Sequence, residues 1–218
     1  MSADNRDYHY SKNSLINRTE FDDIIKLIEP KSSVIDLACG DGNLLQRLRK
    51  EKKVTNSFGI ELSASGVTST RRKGLKAKQG RIDRPLTEIK NKQFEYSIVN
   101  VTLQMVMYPE VLVDEMIRIS RYQIISFPNF GYLPNRIEML TTGRMPKIML
   151  FGYTWYSTGQ IHQLSIADFE DFVRERKYRV VNRVFIMPKI QFLIPEFLHS
   201  KFPNSTSTLA IYLLGGKK

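Results

Sequence analysis

The sequence has 218 residues, 42% of them hydrophobic and 25% charged, and a net charge of +11 at neutral pH. A chain of this length can bury enough surface to fold without crosslinks, and its one cysteine excludes an internal disulfide. The first residues lack the apolar core of a signal peptide, and no apolar run approaches the about 20 residues of a membrane span. We therefore expect a cytoplasmic protein that does not enter a membrane.

Strand-like and helix-like segments alternate along the chain. Residues 1–17 are polar and irregular and are predicted to form an N-terminal arm, whereas residues 18–218 are predicted to form one domain. The first helix is expected to begin at a capping box of Thr19 and Asp22 and to end at Pro30. Seven strands are predicted at 34–37, 57–61, 77–80, 96–99, 122–127, 178–186 and 209–214. This order predicts an α/β fold with a mostly parallel sheet and helices on both faces.

The pattern changes after the fifth strand. Residues 128–164 combine several prolines and glycines with large apolar and aromatic side chains, and they are too many for a plain connection. We predict an ordered insertion that starts at the carboxyl edge of the sheet and caps it. A helix over 166–177 follows, and a short helix is predicted around Glu196–Lys201.

Two clusters of basic residues contribute to the positive charge. The first cluster is Arg47, Arg49, Lys50, Lys52 and Lys53, and the second is Arg71, Arg72, Lys73, Lys76, Lys78, Arg81 and Arg84. Few aromatic residues lie between these charges, so the stacking surface of a single-strand binder is missing. The clusters favour solvated faces over a nucleic-acid site, and the sequence predicts no metal-ligand set.

A glycine-containing turn follows the first predicted strand. Gly40 and Gly42 allow the backbone to approach a ligand closely, and the next helix presents its N-terminus there. A nicotinamide-binding loop would have a glycine where Ala38 stands. Glu61 ends the second strand, where a carboxylate can accept hydrogen bonds from both hydroxyls of a ribose.

The segment 34–42 resembles the first motif of class I S-adenosylmethionine-dependent methyltransferases. The resemblance implies a Rossmann-like fold, S-adenosylmethionine as cofactor and S-adenosylhomocysteine as product. It implies that Asp36 accepts, directly or through water, from the cofactor's ammonium group and that Glu61 accepts from its ribose. Arg81 stands where the family has an acid that contacts adenine, so Asp83 or the backbone of Ile82 would replace that acid. The implied cofactor-binding set is Asp36, Ala38, Gly40, Gly42, Glu61, Leu62, Ile82, Asp83 and Asn100.

A second resemblance extends over about residues 18–186. It is carried by Ser126-Phe127-Pro128-Asn129-Phe130-Gly131, Asn135-Arg136, Gly143-Arg144-Met145-Pro146, Trp155-Tyr156, Thr158, Ile161-His162 and Asp168-Phe169-Glu170. Together these residues resemble the MetW family of methionine-biosynthesis proteins. The resemblance implies a role in making methionine, commonly beside a homoserine O-acyltransferase, and it brings no established methyl acceptor.

The insertion contains the candidate catalytic and substrate residues. His162 is the candidate general base, although a structural histidine explains it equally well. Arg136 and Arg144 are candidates for binding a carboxylate or an acidic partner, with surface ion pairs as the alternative. Tyr156 is a candidate for lining a pocket, with aromatic packing as the alternative. The expected functions are therefore a MetW-like methyltransferase, a non-catalytic partner or regulator of the acyltransferase, or an RNA methyltransferase.

Cys39 and the segment after the fourth strand count against nucleic-acid methylation. Cys39 lies in the cofactor loop, so it does not serve pyrimidine C5 chemistry. Residues 100–105 lack the Asn-Pro-Pro-aromatic signature of enzymes that methylate exocyclic amines. The RNA methyltransferase hypothesis therefore depends on charge alone.

Overall fold

A computed structural model describes residues 18–146, 154–156, 158–188 and 196–217 of the chain. The predicted N-terminal arm, residues 1–17, lies outside the described residues. The seven strands are β1 (Val34–Leu37), β2 (Ser57–Glu61), β3 (Lys76–Gln79), β4 (Phe94–Asn100), β5 (Ser120–Pro128), β6 (Tyr178–Ile186) and β7 (Leu209–Lys217). The helices are α1 (Glu20–Lys26), α2 (Asn43–Lys52), α3 (Ala64–Arg72), α4 (Pro109–Ile119), α5 (Leu133–Thr142), α6 (Ile166–Glu175), α7 (Glu196–Lys201) and α8 (Pro203–Thr206), with a 3-10 turn at Leu103–Met105.

The strands form one sheet in the order β3-β2-β1-β4-β5-β7-β6. The pairs among β1 to β5 are parallel, whereas β7 runs antiparallel to both of its neighbours. The chain reverses its direction of travel across the sheet after β3, so β1 and β4 are neighbours. This is the seven-stranded, mostly parallel sheet of the Rossmann-like methyltransferase fold that the sequence predicts. A ligand site in such a sheet lies beyond the carboxyl ends of the strands at this reversal.

Helices cover both faces of the sheet. Apolar residues of α1, α2 and α3 pack on one face, and those of α4 and α6 pack on the other. The central strands have apolar side chains on both faces, which is why they appear in the sequence as continuous hydrophobic runs. No helix among the described residues is long and apolar enough to cross a membrane.

The predicted start of α1 is wrong in its detail. Thr19 has helical backbone angles, and its side chain makes no capping hydrogen bond. A capping side chain needs an extended backbone at the N-cap, so residue spacing alone could not predict whether Thr19 caps the helix. Asp22 instead pairs with Arg47 at 2.7 Å, and the helix ends at Lys26 rather than at Pro30.

Asn129 ties the start of the insertion to the rest of the domain. It is fully buried, and its Oδ1 accepts hydrogen bonds from the amides of Gly131 (3.0 Å) and Ile166 (3.1 Å). Its Nδ2 donates to the carbonyls of Asn204 (2.9 Å) and Ser207 (2.8 Å). One side chain therefore connects the end of β5 with α6 and α8, and α5 begins just after it.

We expect Asn129→Ala to lower the free energy of unfolding by at least about 3 kcal/mol. Four backbone groups, three of them in buried hydrogen bonds and one in a partly buried one, would lose their partner, and each such loss costs roughly 1–3 kcal/mol before relaxation. Asn56→Ala, at an exposed asparagine, should change it by less than about 0.5 kcal/mol. Urea unfolding of both variants measures the difference, and equal effects would contradict the central role of Asn129.

Candidate functional site

Asp36 and Glu61 lie near the carboxyl ends of the adjacent strands β1 and β2. They are almost fully buried, with 2% of Asp36 and 5% of Glu61 exposed. The Oε2 of Glu61 accepts a hydrogen bond from the Gly40 amide, and its Oε1 accepts one from the Ser63 amide, both at 2.9 Å. The Glu61 carboxylate thus joins the loop after β1 to the start of α3.

The loop after β1 has an unusual backbone. Ala38, Gly40 and Gly42 have φ angles of 76°, 57° and 78°, in the left-handed region. A Cβ atom at Gly42 would lie 2.8 Å from the Thr70 side chain, so only glycine fits there. The amides of Ala38 and Cys39 both donate to the Ile60 carbonyl, at 2.8 and 3.1 Å. The loop is therefore drawn across the end of β2, and this brings the Gly40 amide to Glu61.

One oxygen of Asp36 has no hydrogen-bond partner. Its Oδ1 is buried and unpaired within the part of the chain that the structure describes. Burial, and then the charge of Glu61, raise the pKa of Asp36 from its usual 3.8 to about 7, while Arg18 opposes this rise. A buried carboxylate that lacks a donor is a site for a cationic or hydrogen-donating ligand.

A second polar group lies at the carboxyl end of β4. The Nδ2 of Asn100 donates to the buried Glu20 at 3.2 Å, and the Ser126 hydroxyl donates to the Asn100 Oδ1 at 2.5 Å. Arg18 lies 3.9 Å from the Glu20 carboxylate. Glu20 and Ser126 are site residues that the sequence analysis missed. A signal existed for Glu20, because it stands four residues before Ile24 on the buried face of α1.

Asp83 is already engaged by the protein. Arg81 donates to both of its oxygens, at 3.0 and 2.7 Å, and the Met107 amide adds a third bond at 3.1 Å. Burial alone would raise the pKa of Asp83, but these hydrogen bonds outweigh it and lower the pKa. An adenine amino group would therefore share Asp83 with Arg81. Nearby, the Leu62 carbonyl accepts from Gln79 at 2.8 Å, and Ile82 is buried.

The end of the insertion is attached beside the turn after β4. The amides of Ile161 and His162 both donate to the Gln104 carbonyl, at 2.9 and 3.0 Å. The Gln104 Nε2 donates to the Val101 carbonyl, which leaves its Oε1 as the unpaired atom. The His162 Nε2 is also buried without a hydrogen-bond partner among the described residues. Gln104 and His162 therefore lie on adjoining segments, and each has a buried polar atom without a hydrogen bond to any described residue.

The other insertion candidates are placed differently. The Nε of Arg136 donates to the Gly131 carbonyl at 2.6 Å, which fastens the first turn of α5. Arg144 follows α5 and is exposed. Tyr156 is 71% exposed, with its ring edge-on to Trp155. Residues 147–153 and 157 of the insertion lie outside the described residues.

A protein-family model described as methionine biosynthesis protein MetW matches residues 18–214. The chain belongs to the MetW family. It is also 32% identical over 170 residues to the bifunctional methionine biosynthesis protein MetXA/MetW of Rhodopirellula baltica. That match covers 74% of this chain but 27% of the relative, so this MetW chain spans about a quarter of the relative's length.

Solved structures share the fold. A chain from the complex of the Haloferax volcanii Trm112 methyltransferase activator with a candidate methyltransferase superposes with a TM-score of 0.65 at 14% identity, over 93% of this chain and 92% of that one. A SAM-dependent methyltransferase from Archaeoglobus fulgidus gives 0.62 at 13% identity, over 90% and 91%. At these identities the likeness shows the class I methyltransferase fold alone.

We expect Asp36→Asn to stabilise the unliganded protein more at pH 8 than at pH 5. The folded pKa of about 7 exceeds the usual 3.8, so the wild type loses stability as the pH rises between these values. Asparagine does not titrate, so the free energy of unfolding of the variant relative to the wild type should rise by about 2.6 kcal/mol between the two pH values. Denaturant unfolding at both pH values measures this, with the exposed Asp171→Asn as control. A constant difference would contradict the raised pKa.

Proposed function

We propose that this MetW protein binds S-adenosylmethionine at the carboxyl edge of β1, β2 and β4 and thereby serves methionine biosynthesis. The observation that carries the proposal is the buried, unpaired oxygen of Asp36 beside Glu61. These acids form a locally negative site in a chain whose net charge is +11. S-adenosylmethionine carries an ammonium and a sulfonium group, which supply the positive charge that such a site lacks.

The residues present fit the parts of the cofactor. Asp36 would accept from the ammonium group, and the Glu61 carboxylate would accept from the ribose hydroxyls. The left-handed turns at Gly40 and Gly42 allow close backbone approach. When bound, the cofactor supplies an electrophilic methyl group. The other residues proposed to line the site are Ala38, Leu62, Ile82, Asp83 and Asn100.

His162 is the proposed general base for a methyl acceptor that starts protonated. Its Nε2 has no hydrogen-bond partner among the described residues, and its backbone amide donates to the Gln104 carbonyl just after β4. Gln104 would orient the acceptor through its unpaired Oε1. A methyl transfer needs mainly in-line positioning, so the roles proposed for these two residues are to orient the acceptor and to remove its proton.

The second candidate function is a non-catalytic partner of a homoserine O-acyltransferase. The bifunctional name of the Rhodopirellula relative supports this, because its chain combines a MetXA part with a MetW part. The ion pair between Asp83 and Arg81 also favours the non-catalytic candidate, because the position that often contacts adenine is occupied by this internal pair. Both candidates keep the cofactor site and differ in the use of His162.

The third candidate, an RNA methyltransferase, has less support. In the first basic cluster Arg47 pairs with Asp22 and Glu51, and Arg49 donates to backbone carbonyls. In the second cluster Lys78 pairs with Glu88. Cations with internal partners bind phosphates less readily, so we propose that any RNA binding is weak and depends on salt.

We expect Glu61→Gln to weaken S-adenosylmethionine binding by at least about tenfold, or about 1.4 kcal/mol. The NH2 group that replaces one carboxylate oxygen cannot accept a hydrogen bond, so a bond from the Gly40 amide, the Ser63 amide or the ribose is lost. Isothermal titration calorimetry measures the affinity, and the exposed Glu175→Gln serves as the matched control. Absence of binding by the wild type would refute the cofactor proposal.

We expect His162→Ala to reduce methyl transfer by about a hundredfold, within the range of general-base effects, while S-adenosylmethionine affinity stays within about twofold. Transfer is measured as S-adenosylhomocysteine released on incubation with a small-molecule extract of the source cells. His162→Gln, which keeps a polar side chain but no base, should be equally slow. If the wild type releases none, the non-catalytic candidate replaces the first.

A further inference from the structure

In α5 a polar residue is buried and apolar residues are exposed, which is the reverse of the usual pattern of a surface helix. Asn135 is its one buried residue among those described, and the Asn135 Nδ2 is directed at the carbonyls of Asn129 and Phe130. Leu133, Ile137 and Leu140 are instead exposed by 47%, 50% and 85%. We call these three residues the α5 stripe.

The α5 stripe lies along one side of the helix. Its spacing of four and then three residues places the side chains within about 60° of one another, at 100° per residue, on the side opposite Asn135. This is the spacing by which an amphipathic helix anchors in an apolar groove of another protein. Arg136 lies at the border of the stripe, and Arg144 follows the helix, so the complementary groove would have an acidic rim.

The base of α5 is rigid. Asn129 holds the preceding segment through four hydrogen bonds, three of them buried, and Arg136 donates to the Gly131 carbonyl. A Cβ atom at Gly131 would lie 2.8 Å from the Ser165 Cβ, so this segment is closely packed. A surface held in place before binding loses little conformational entropy when a partner docks. The contacts on the buried polar side therefore hold α5 in place, and its apolar side faces solvent.

We infer that the α5 stripe is the docking surface for the homoserine O-acyltransferase, which would bind it in an apolar groove with an acidic rim. This inference rests on the proposed partnership and names its surface. The fused relative supports that occupant, because a MetXA part and a MetW part in one chain are held at high local concentration.

A second copy of this chain is the competing occupant, and geometry disfavours it. A ten-residue helix is about 15 Å long, and two such stripes placed face to face meet along a single ridge. Stable interfaces bury about 1,200–2,000 Å² in total, which is more than two short ridges offer. A groove surrounds the same helix on several sides and buries more of it.

The test uses the full chain and the purified homoserine O-acyltransferase of the same genome. Leu140→Ser, alone and with Ile137→Ser, should weaken the complex by at least about tenfold, because central apolar anchors dominate such interfaces. Val181→Ser, at an exposed apolar residue on β6, is the matched control and should bind like the wild type. Calorimetry gives the affinity of the pair, and sedimentation gives the mass of each protein alone.

The outcomes separate the docking surface from the partnership. Equal binding by wild type and Leu140→Ser overturns the α5 stripe as the docking surface and leaves the partnership standing. No complex with the wild type overturns both, while S-adenosylmethionine binding is judged separately by calorimetry on the same samples. A wild-type dimer that Leu140→Ser converts to a monomer would assign the stripe to a second copy and overturn the inference.

Discussion

Two buried carboxylates at the ends of neighbouring strands are the constraint on which the site depends. Burial, and then the neighbouring charge of Glu61, disfavour the charged form of Asp36 and raise its pKa. The protein stabilises Glu61 with the amides of Gly40 and Ser63, and the left-handed loop after β1 is what brings the first of these amides into place. One oxygen of Asp36 has no donor in the part of the chain that the structure describes. The unliganded fold therefore holds a destabilising charge, a feature that often marks a functional site.

The carboxyl edge of the sheet also organises the insertion. Asn129, one residue beyond β5, directs the chain away from the sheet and into α5. The insertion returns at Ile161 and His162, whose amides are fixed to the turn after β4. Its two ends are therefore anchored at neighbouring strands, β5 and β4, and α5 with its apolar stripe lies between these anchors in sequence. The proposed cofactor site and the inferred docking surface thus depend on the same edge of the fold.

Local patterns predicted most of the strands. Val34–Leu37, Ser57–Glu61 and Tyr178–Ile186 have the predicted bounds. β4 and β5 are longer than predicted, since Phe94 pairs with Ser120 and Asn100 pairs with Ser126 at the ends of the two strands. The capping box failed because spacing does not report the backbone angles of Thr19. Arg81 was noted as a departure, but its bidentate pairing with Asp83 was not foreseen.

The sequence by itself determined the fold class, the glycine turn after the first strand and membership of the MetW family. The fold class and the turn depend on hydrophobic periodicity and on steric requirements that neighbouring residues set locally, whereas the family is identified by the resemblance of its motifs. Only the tertiary structure decided that Asp36 has an unpaired oxygen, that Glu20 reaches Asn100, and that α5 turns its polar residue inward. Burial, charge and hydrogen bonding at these positions come from residues far apart in the chain, so no local pattern contains them.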